Sequence, residues 1–223
     1  MTVTGEGSAE RGTELRRIVG KVRDANLATY GSDEQRAAIK TAVARSFTLA
    51  GVYLFELVQN ALDVGASRVR LEWDDGQLVL EHDAAELFDE ASIKALSKLG
   101  MSTKQRLDTV GFMGLGFKSV FQRFERVEVS DPDLRMFFEV GHEEGPYDDR
   151  HKRWIDLVLP AWDDDIAPPS AGYTTRFRLV RPLPGRKVAE DAGELVPDDE
   201  GVPDARAILA LRGLREIVVG ETT

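Results

Sequence analysis

The chain contains no cysteine, which excludes disulfides and thiolate metal sites. No apolar run approaches the roughly 20 residues that a membrane-spanning helix requires. The polar opening "MTVTGEGSAERGTELRR" lacks the apolar segment of a secretory leader. Basic residues are in deficit: 29 Lys and Arg stand against 39 Asp and Glu, a net charge of −10. That balance argues against nucleic-acid binding by the surface at large, while leaving room for a local basic patch. No internal repeat is visible. A cytoplasmic protein with no membrane partner is expected.

What is present is an ordinary globular composition, 42% hydrophobic and 30% charged over 223 residues, enough for a sizeable core. Apolar spacing at Leu15, Ile18, Val19, Val22 and Leu27 predicts a helix over 9–27, after a loose tail at 1–8. Ser32 is placed to cap a second helix through "DEQRAAIKTAVARS", and a third is predicted over 48–64, ending near Gly65. "SRVRLEW" and "QLVLEH" alternate with period two around "DDG", the pattern of a β-hairpin. "DEASIKALSKLG" predicts a short helix capped by Asp89 and closed by Gly100. The polar stretch "MSTKQRLDT" then leads to a glycine loop and a predicted helix at 117–124.

Strands are predicted at "RVEVS", "LRMFFEV", "RWIDLVL" and "TTRFRLV". Loops are expected at 141–152 and 160–173, and a long polar connection at 184–203. "DARAILALRGLREIVVG" predicts a helix followed by a strand. Helices first and a largely antiparallel sheet after them give an α+β sandwich. The last strand leaves only "GETT" beyond it. The chain is therefore expected to be the N-terminal part of a longer protein, the alternative being one complete domain with a short tail.

The glycine loop "TVGFMGLGFKSVF" fits neither of the common phosphate loops. A P-loop needs lysine directly after its last glycine, and here Phe117 separates Gly116 from Lys118. A dinucleotide fingerprint follows a strand, whereas this loop follows polar residues and Ser119 stands where the third glycine belongs. What remains is G-x-x-G-x-G at Gly111, Gly114 and Gly116, opening a helix. Such a turn can aim backbone N–H groups at an anion, with the helix dipole behind them. It can equally be a tight contact between helix and sheet.

"LFELVQNALDVGAS" is the second informative stretch. At helical spacing Glu56, Gln59, Asn60 and Asp63 share one face, and Leu54, Leu57, Val58 and Ala61 share the other. A solvated outer face would explain the amphipathy. Yet the polar face carries only carboxylates and carboxamides, oxygen ligands that suit Mg²⁺ completed by water and phosphates. A carboxylate nearby can activate a water.

Together, "ELVQNALDVGAS" and "GFMGLGFKSVF" resemble the GHKL (Bergerat-fold) ATPases, which include DNA gyrase B, heat-shock chaperones, mismatch-repair ATPases and histidine kinases. "LSKLGMSTK" and "VGFMGLGFKSVF" are most similar to the sacsin-type, chaperone-like branch. The resemblance covers about residues 45–125 and continues more weakly to "TTRFRL" and "LALRGLREIVV". It implies a two-layer α/β sandwich, a mostly antiparallel sheet covered on one face by helices. The implied division is a tail and helix at 1–30, the ATP-binding domain at 31–183, and a connection, helix and strand at 184–223.

Residue by residue, the resemblance makes Glu56 the general base that orients the attacking water. It makes Asn60 the Mg²⁺ ligand and Asp63 the second acid of the same motif. Gly111, Gly114, Leu115 and Gly116 would contact phosphate, with Phe117 and Lys118 following them. Ser102, Thr103 and Lys104 would sit at the base of a lid, with Lys104 either meeting a phosphate or solvated. Thr175 would stand behind the adenine pocket. The implied cofactors are Mg²⁺ and ATP. Implied partners are a client protein and, through lid closure, a second copy of the chain.

The pattern breaks at the adenine-reading motif, usually Asp-x-Gly-x-Gly. Here the place reads "LEHDAAELFDEASI", with His82 at the aspartate, Ala84 at the first glycine and Glu86 at the second. A shift of one residue would let Asp83 read adenine instead. Two functions follow as expectations. One is Mg²⁺-dependent ATP binding with slow hydrolysis, as the N-terminal nucleotide switch of a larger chaperone-like or defence-type protein. The other is a degenerate, non-hydrolysing fold serving as an interaction scaffold. Histidine-kinase phosphotransfer is disfavoured, because none of the three histidines lies in a phosphoacceptor-type helix.

Overall fold

A computed structural model describes residues 5–46, 52–98, 117–141, 153–185, 187–192 and 215–221. Five helices run through it: α1 (Gly5–Tyr30), α2 (Asp33–Ser46), α3 (Val52–Asp63), α4 (Glu90–Leu96) and α5 (Val188–Ala192). Seven strands accompany them: β1 (Arg68–Trp73), β2 (Gln77–His82), β3 (Phe124–Ser130), β4 (Arg135–Glu139), β5 (Ala161–Trp162), β6 (Thr175–Pro182) and β7 (Glu216–Glu221). They form one sheet in the order β5-β4-β3-β6-β2-β1-β7. Every pairing is antiparallel except β1 with β7. The chain is thus an α+β fold built on a mostly antiparallel sheet, as its element order predicts.

Strand periodicity separates the two faces. Val69 and Leu71 of β1, Leu78 and Leu80 of β2, Val127 and Val129 of β3, and Phe177 and Leu179 of β6 join the apolar core. Leu15, Ile18, Val19 and Val22 of α1 enter the same core, as do Leu54, Leu57, Val58 and Ala61 of α3. The opposite face is an Arg/Glu lattice, with Arg70 paired to Glu72 and Glu81, Arg126 to Glu128 and Glu139, and Arg178 to Glu128. Alternation at two-residue spacing produces both faces from the same strands.

Local signals act where expected at several ends. The Ser32 hydroxyl accepts from Gln35 N at the start of α2. Asp89 and Ser92 form a reciprocal capping box on α4. Asp74 accepts from Gly76 N and Gln77 N, closing the β1–β2 hairpin. Gly65 ends α3 at φ 81°, with Gly65 N bonded to Leu62 O and Ala66 N to Ala61 O, both at 2.9 Å. That is a Schellman motif, and the positive φ explains why glycine stands there.

The structure departs from sequence expectation in five places. Residues 5–8, expected as tail, belong to α1. The helix expected at 117–124 is a 3-10 helix, Phe117–Gln122, running into β3. "RWIDLVL", expected as a strand, is another 3-10 helix, Trp154–Val158. All its residues are buried, so no alternation distinguishes strand from helix, and Asp156 inside it accepts from Gly141 N. The expected loop at 160–173 contains β5, and the expected connection at 184–203 contains α5. The helix expected between 204 and 213 and the end at Gly100 lie outside the described residues.

Candidate functional site

The polar face of α3 is a consequence of its apolar one. Leu54, Leu57, Val58 and Ala61 are 0–1% exposed, which turns Glu56, Gln59, Asn60 and Asp63 away from the core. Glu56, Gln59 and Asn60 are half-buried there, and Asp63 is exposed. Gln59 Nε2 donates to Asp63 Oδ1 at 2.9 Å. Burial, and secondarily the Asp63 charge, raise the Glu56 carboxyl above its ordinary pKa. A carboxylate with increased proton affinity is better matched to taking a proton from water.

Beside the end of this face lies a cavity of about 90 Å³. Asn60 and Val64 come to it from α3, His82 from β2, and Thr175 and Phe177 from β6. Glu86, Leu87 and Phe88 contribute the loop before α4, and Ser92 and Leu96 contribute α4 itself. Five of these residues are aliphatic or aromatic and five are polar, and a small-molecule site likewise combines apolar walls with convergent polar groups. Phe177 lies 6.4 Å from the His82 ring and meets Phe88 edge-on at the same centroid distance.

Strand register sets the polar corner. His82 and Thr175 are directly paired across β2 and β6, and both continue the inward-facing rows of their strands. His82 is 4% exposed and Thr175 1%. The Thr175 hydroxyl is buried with no hydrogen-bond partner among the described residues. His82 Nδ1 accepts from Ala84 N at 3.4 Å. Burial pushes the imidazole pKa down to about 4, against a weaker opposing pull from Asp83, so the ring is neutral at pH 7.

Of the two candidates at this corner, His82 lines the cavity and Asp83 does not. One residue further along the strand, Asp83 turns to the opposite side. Its carboxylate accepts from Ser67 N and Arg68 N, each at 2.8 Å, from the Ser67 hydroxyl, and from Arg68 Nε. Partial burial opposes ionisation, but these donors prevail and hold its pKa well below the ordinary aspartate value. Asp83 thereby fixes the start of β1.

The remaining predicted positions divide in two. Thr103, Lys104, Gly111, Gly114, Leu115 and Gly116, with Ser102, lie outside the described residues. Phe117 and Lys118 are described, and both are in the core. Phe117 packs against Phe121, Phe138 and Phe177. The Lys118 amine donates to Leu157 O and lies 4.1 Å from the Phe138 ring centroid. Complete burial drives its pKa well below the ordinary lysine value.

Sequence reasoning missed the groups that shape the cavity's far wall. Arg11 of α1 donates to both oxygens of Asp131 and to Phe88 O, and Asp131 also accepts from Phe88 N at 3.1 Å. This clamp holds both backbone polar groups of a cavity residue. No local signal reveals it, because its partners are far apart in sequence. The inward position of His82 was available from the period-two pattern of "QLVLEH".

Among the described residues no group of three or more acidic or histidine side chains converges to enclose a metal ion. Divalent binding here would use the oxygen of Asn60 and draw its other ligands from phosphates and water, the usual manner of Mg²⁺. No described helix is long and apolar enough to cross a membrane. No protein-family model matches the chain, and no curated protein matches it.

Proposed function

We propose that the chain binds a purine nucleoside triphosphate with Mg²⁺, ATP being the one implied by resemblance, and hydrolyses it slowly. The carrying observation is convergence. Asn60, His82 and Thr175 come from three separate elements to one cavity; the resemblance gives Asn60 the metal role, sets Thr175 behind the base, and puts His82 in the place of the base-reading aspartate, which it does not keep. The orphaned Thr175 hydroxyl supplies a reason for a polar ligand, since an unpaired buried polar group is costly.

In this reading the base enters between Phe177 and the Leu87–Phe88 loop, and Asn60 holds Mg²⁺ through its carboxamide oxygen. Mg²⁺, when bound, neutralises phosphate charge. Glu56, with its raised proton affinity, orients water and accepts its proton. Asp63 keeps a second negative charge near Glu56 and engages Gln59. A domain of this kind serves as the nucleotide switch of a larger chaperone-like or defence-type protein, with a client protein or a second copy as its partner. The tested quantity is heat of binding for a non-hydrolysable triphosphate analogue, with and without Mg²⁺. Mg²⁺-dependent binding that Asn60→Ala abolishes supports the reading, and Glu56→Ala should then lower turnover at least a hundredfold. Absence of binding by folded protein rejects it.

One observation favours a non-hydrolysing scaffold instead. Lys118, which follows the glycine loop, spends its amine on Leu157 O inside the aromatic core. Nucleotide binding without turnover in the unaltered chain would support that second reading.

A further inference from the structure

The hydrogen-bond polarity of the cavity corner follows from three neighbouring groups. Ala84 N donates to His82 Nδ1. A neutral imidazole carries a single ring hydrogen, so an accepting Nδ1 leaves that hydrogen on Nε2, which then only donates. The Ala84 contact is the imidazole's one hydrogen bond among the described residues. Burial keeps the ring uncharged at pH 7. Thr175, its register partner, adds a hydroxyl that has no partner among the described residues and is able to donate or accept. Glu86, on the same cavity, adds a carboxylate that only accepts.

We infer that this corner reads a 6-oxopurine, guanine or hypoxanthine, in preference to adenine. The inference rests on the nucleotide reading above and adds the identity of the base. A carboxylate at position 82 would accept from an exocyclic amino group. His82 instead presents a donor, and a donor calls for a carbonyl or an unprotonated ring nitrogen opposite it. Guanine offers O6 to His82 Nε2–H and both N1–H and N2–H to the two oxygens of Glu86. Adenine offers N1 to the imidazole and a single amino hydrogen to Glu86. Turned the other way, adenine sets its amino group against Nε2–H, donor against donor. Hypoxanthine keeps O6 and N1–H but lacks the amino group, and so falls between the two. The extra charge-assisted contact, made at an exposed carboxylate, is expected to favour GTP over ATP by about tenfold.

The experiment is calorimetric titration of the full chain with Mg²⁺ and GTP, ITP or ATP in non-hydrolysable form. The same series is run on His82→Asp and, should that variant not fold, on His82→Asn. The expected order for the unaltered chain is GTP, then ITP, then ATP. His82→Asp should reverse it, because its carboxylate repels O6 and accepts the adenine amino group. His82→Asn, which can donate or accept, should level it. ATP binding as tightly as GTP or tighter in the unaltered chain overturns the inference and leaves the nucleotide reading standing. Failure of all three nucleotides to bind folded protein overturns both.

Discussion

Two buried polar clusters flank the Leu87–Phe88 loop, and they are completed to different degrees. Asp131, with its side chain 0% exposed, accepts from Nη1 and Nη2 of Arg11 and from the backbone N–H groups of Phe88, Asp133 and Leu134. Every lone-pair direction it has is in use. Thr175 and His82 are just as buried, yet among the described residues the hydroxyl has no partner and the imidazole one long contact. A saturated cluster is the signature of a group that holds shape. An unsaturated one leaves a cost in place that a ligand can remove.

Breaking the saturated side should have the largest effect. Asp131→Ala strands the Arg11 guanidinium and several backbone donors, and urea unfolding should show a loss of about 4 kcal/mol. The loop carrying Phe88 loses its anchor in the same variant, so any affinity of the cavity should fall with stability.

Next in size is the pH response of the unsaturated side. His82 has a folded pKa of about 4 against an ordinary 6.5. Between those values the unfolded chain binds the proton and the folded chain does not, so stability must drop as pH falls through that window. The loss should approach about 3 kcal/mol at its lower end, read from thermal unfolding at a series of pH values. His82→Asn should flatten this slope. Asp131 titrates in a different window: Arg11 and the backbone donors outweigh its burial and hold its carboxyl below the ordinary value. Its stabilising effect is complete above the ordinary aspartate pKa and is lost only at more acid pH.

Thr175→Val sharpens the contrast with a smaller change of opposite sign. It removes the orphan hydroxyl at nearly constant shape, so the unliganded protein should gain up to about 1 kcal/mol while any affinity of the cavity for a nucleotide falls. A loss of stability in that variant would show that the hydroxyl has a structural partner after all. The smallest effect belongs to a pair outside both clusters. Arg16 and Asp164 meet at 3.0 Å with both side chains more than half exposed, and Arg16→Ala should move stability by less than about 0.5 kcal/mol.

Much of the frame was legible because its causes are local. The faces of α3, the hairpin around Asp74 and the Asp89 cap each depend on neighbours a few residues away. The sheet's two faces follow from alternation alone. "RWIDLVL" was not legible, since every residue from Trp154 to Leu159 is buried and leaves no period to read. The clamp between Arg11 and Asp131 was hidden for another reason: only the folded chain brings those charges together. At the site, register puts His82 and Asp83 on opposite sides. A shift of one residue exchanges the two sides of a strand, and β2 sends His82 inward beside Thr175.

The pairing of β7 with β1 also bears on the order of folding. β1 takes β2 as a neighbour through a short hairpin, a contact that forms quickly. Its other neighbour, aligned with Arg68 opposite Glu216, is separated from it by most of the sequence. Closing so long a loop costs chain entropy before any contact repays it. Until residues 216–221 dock, the far side of β1 is an open template of backbone donors and acceptors, and any strand of suitable length can occupy it. During synthesis this edge emerges well before its own partner, so the interval between the two is when the chain is most exposed to pairing with a neighbouring copy.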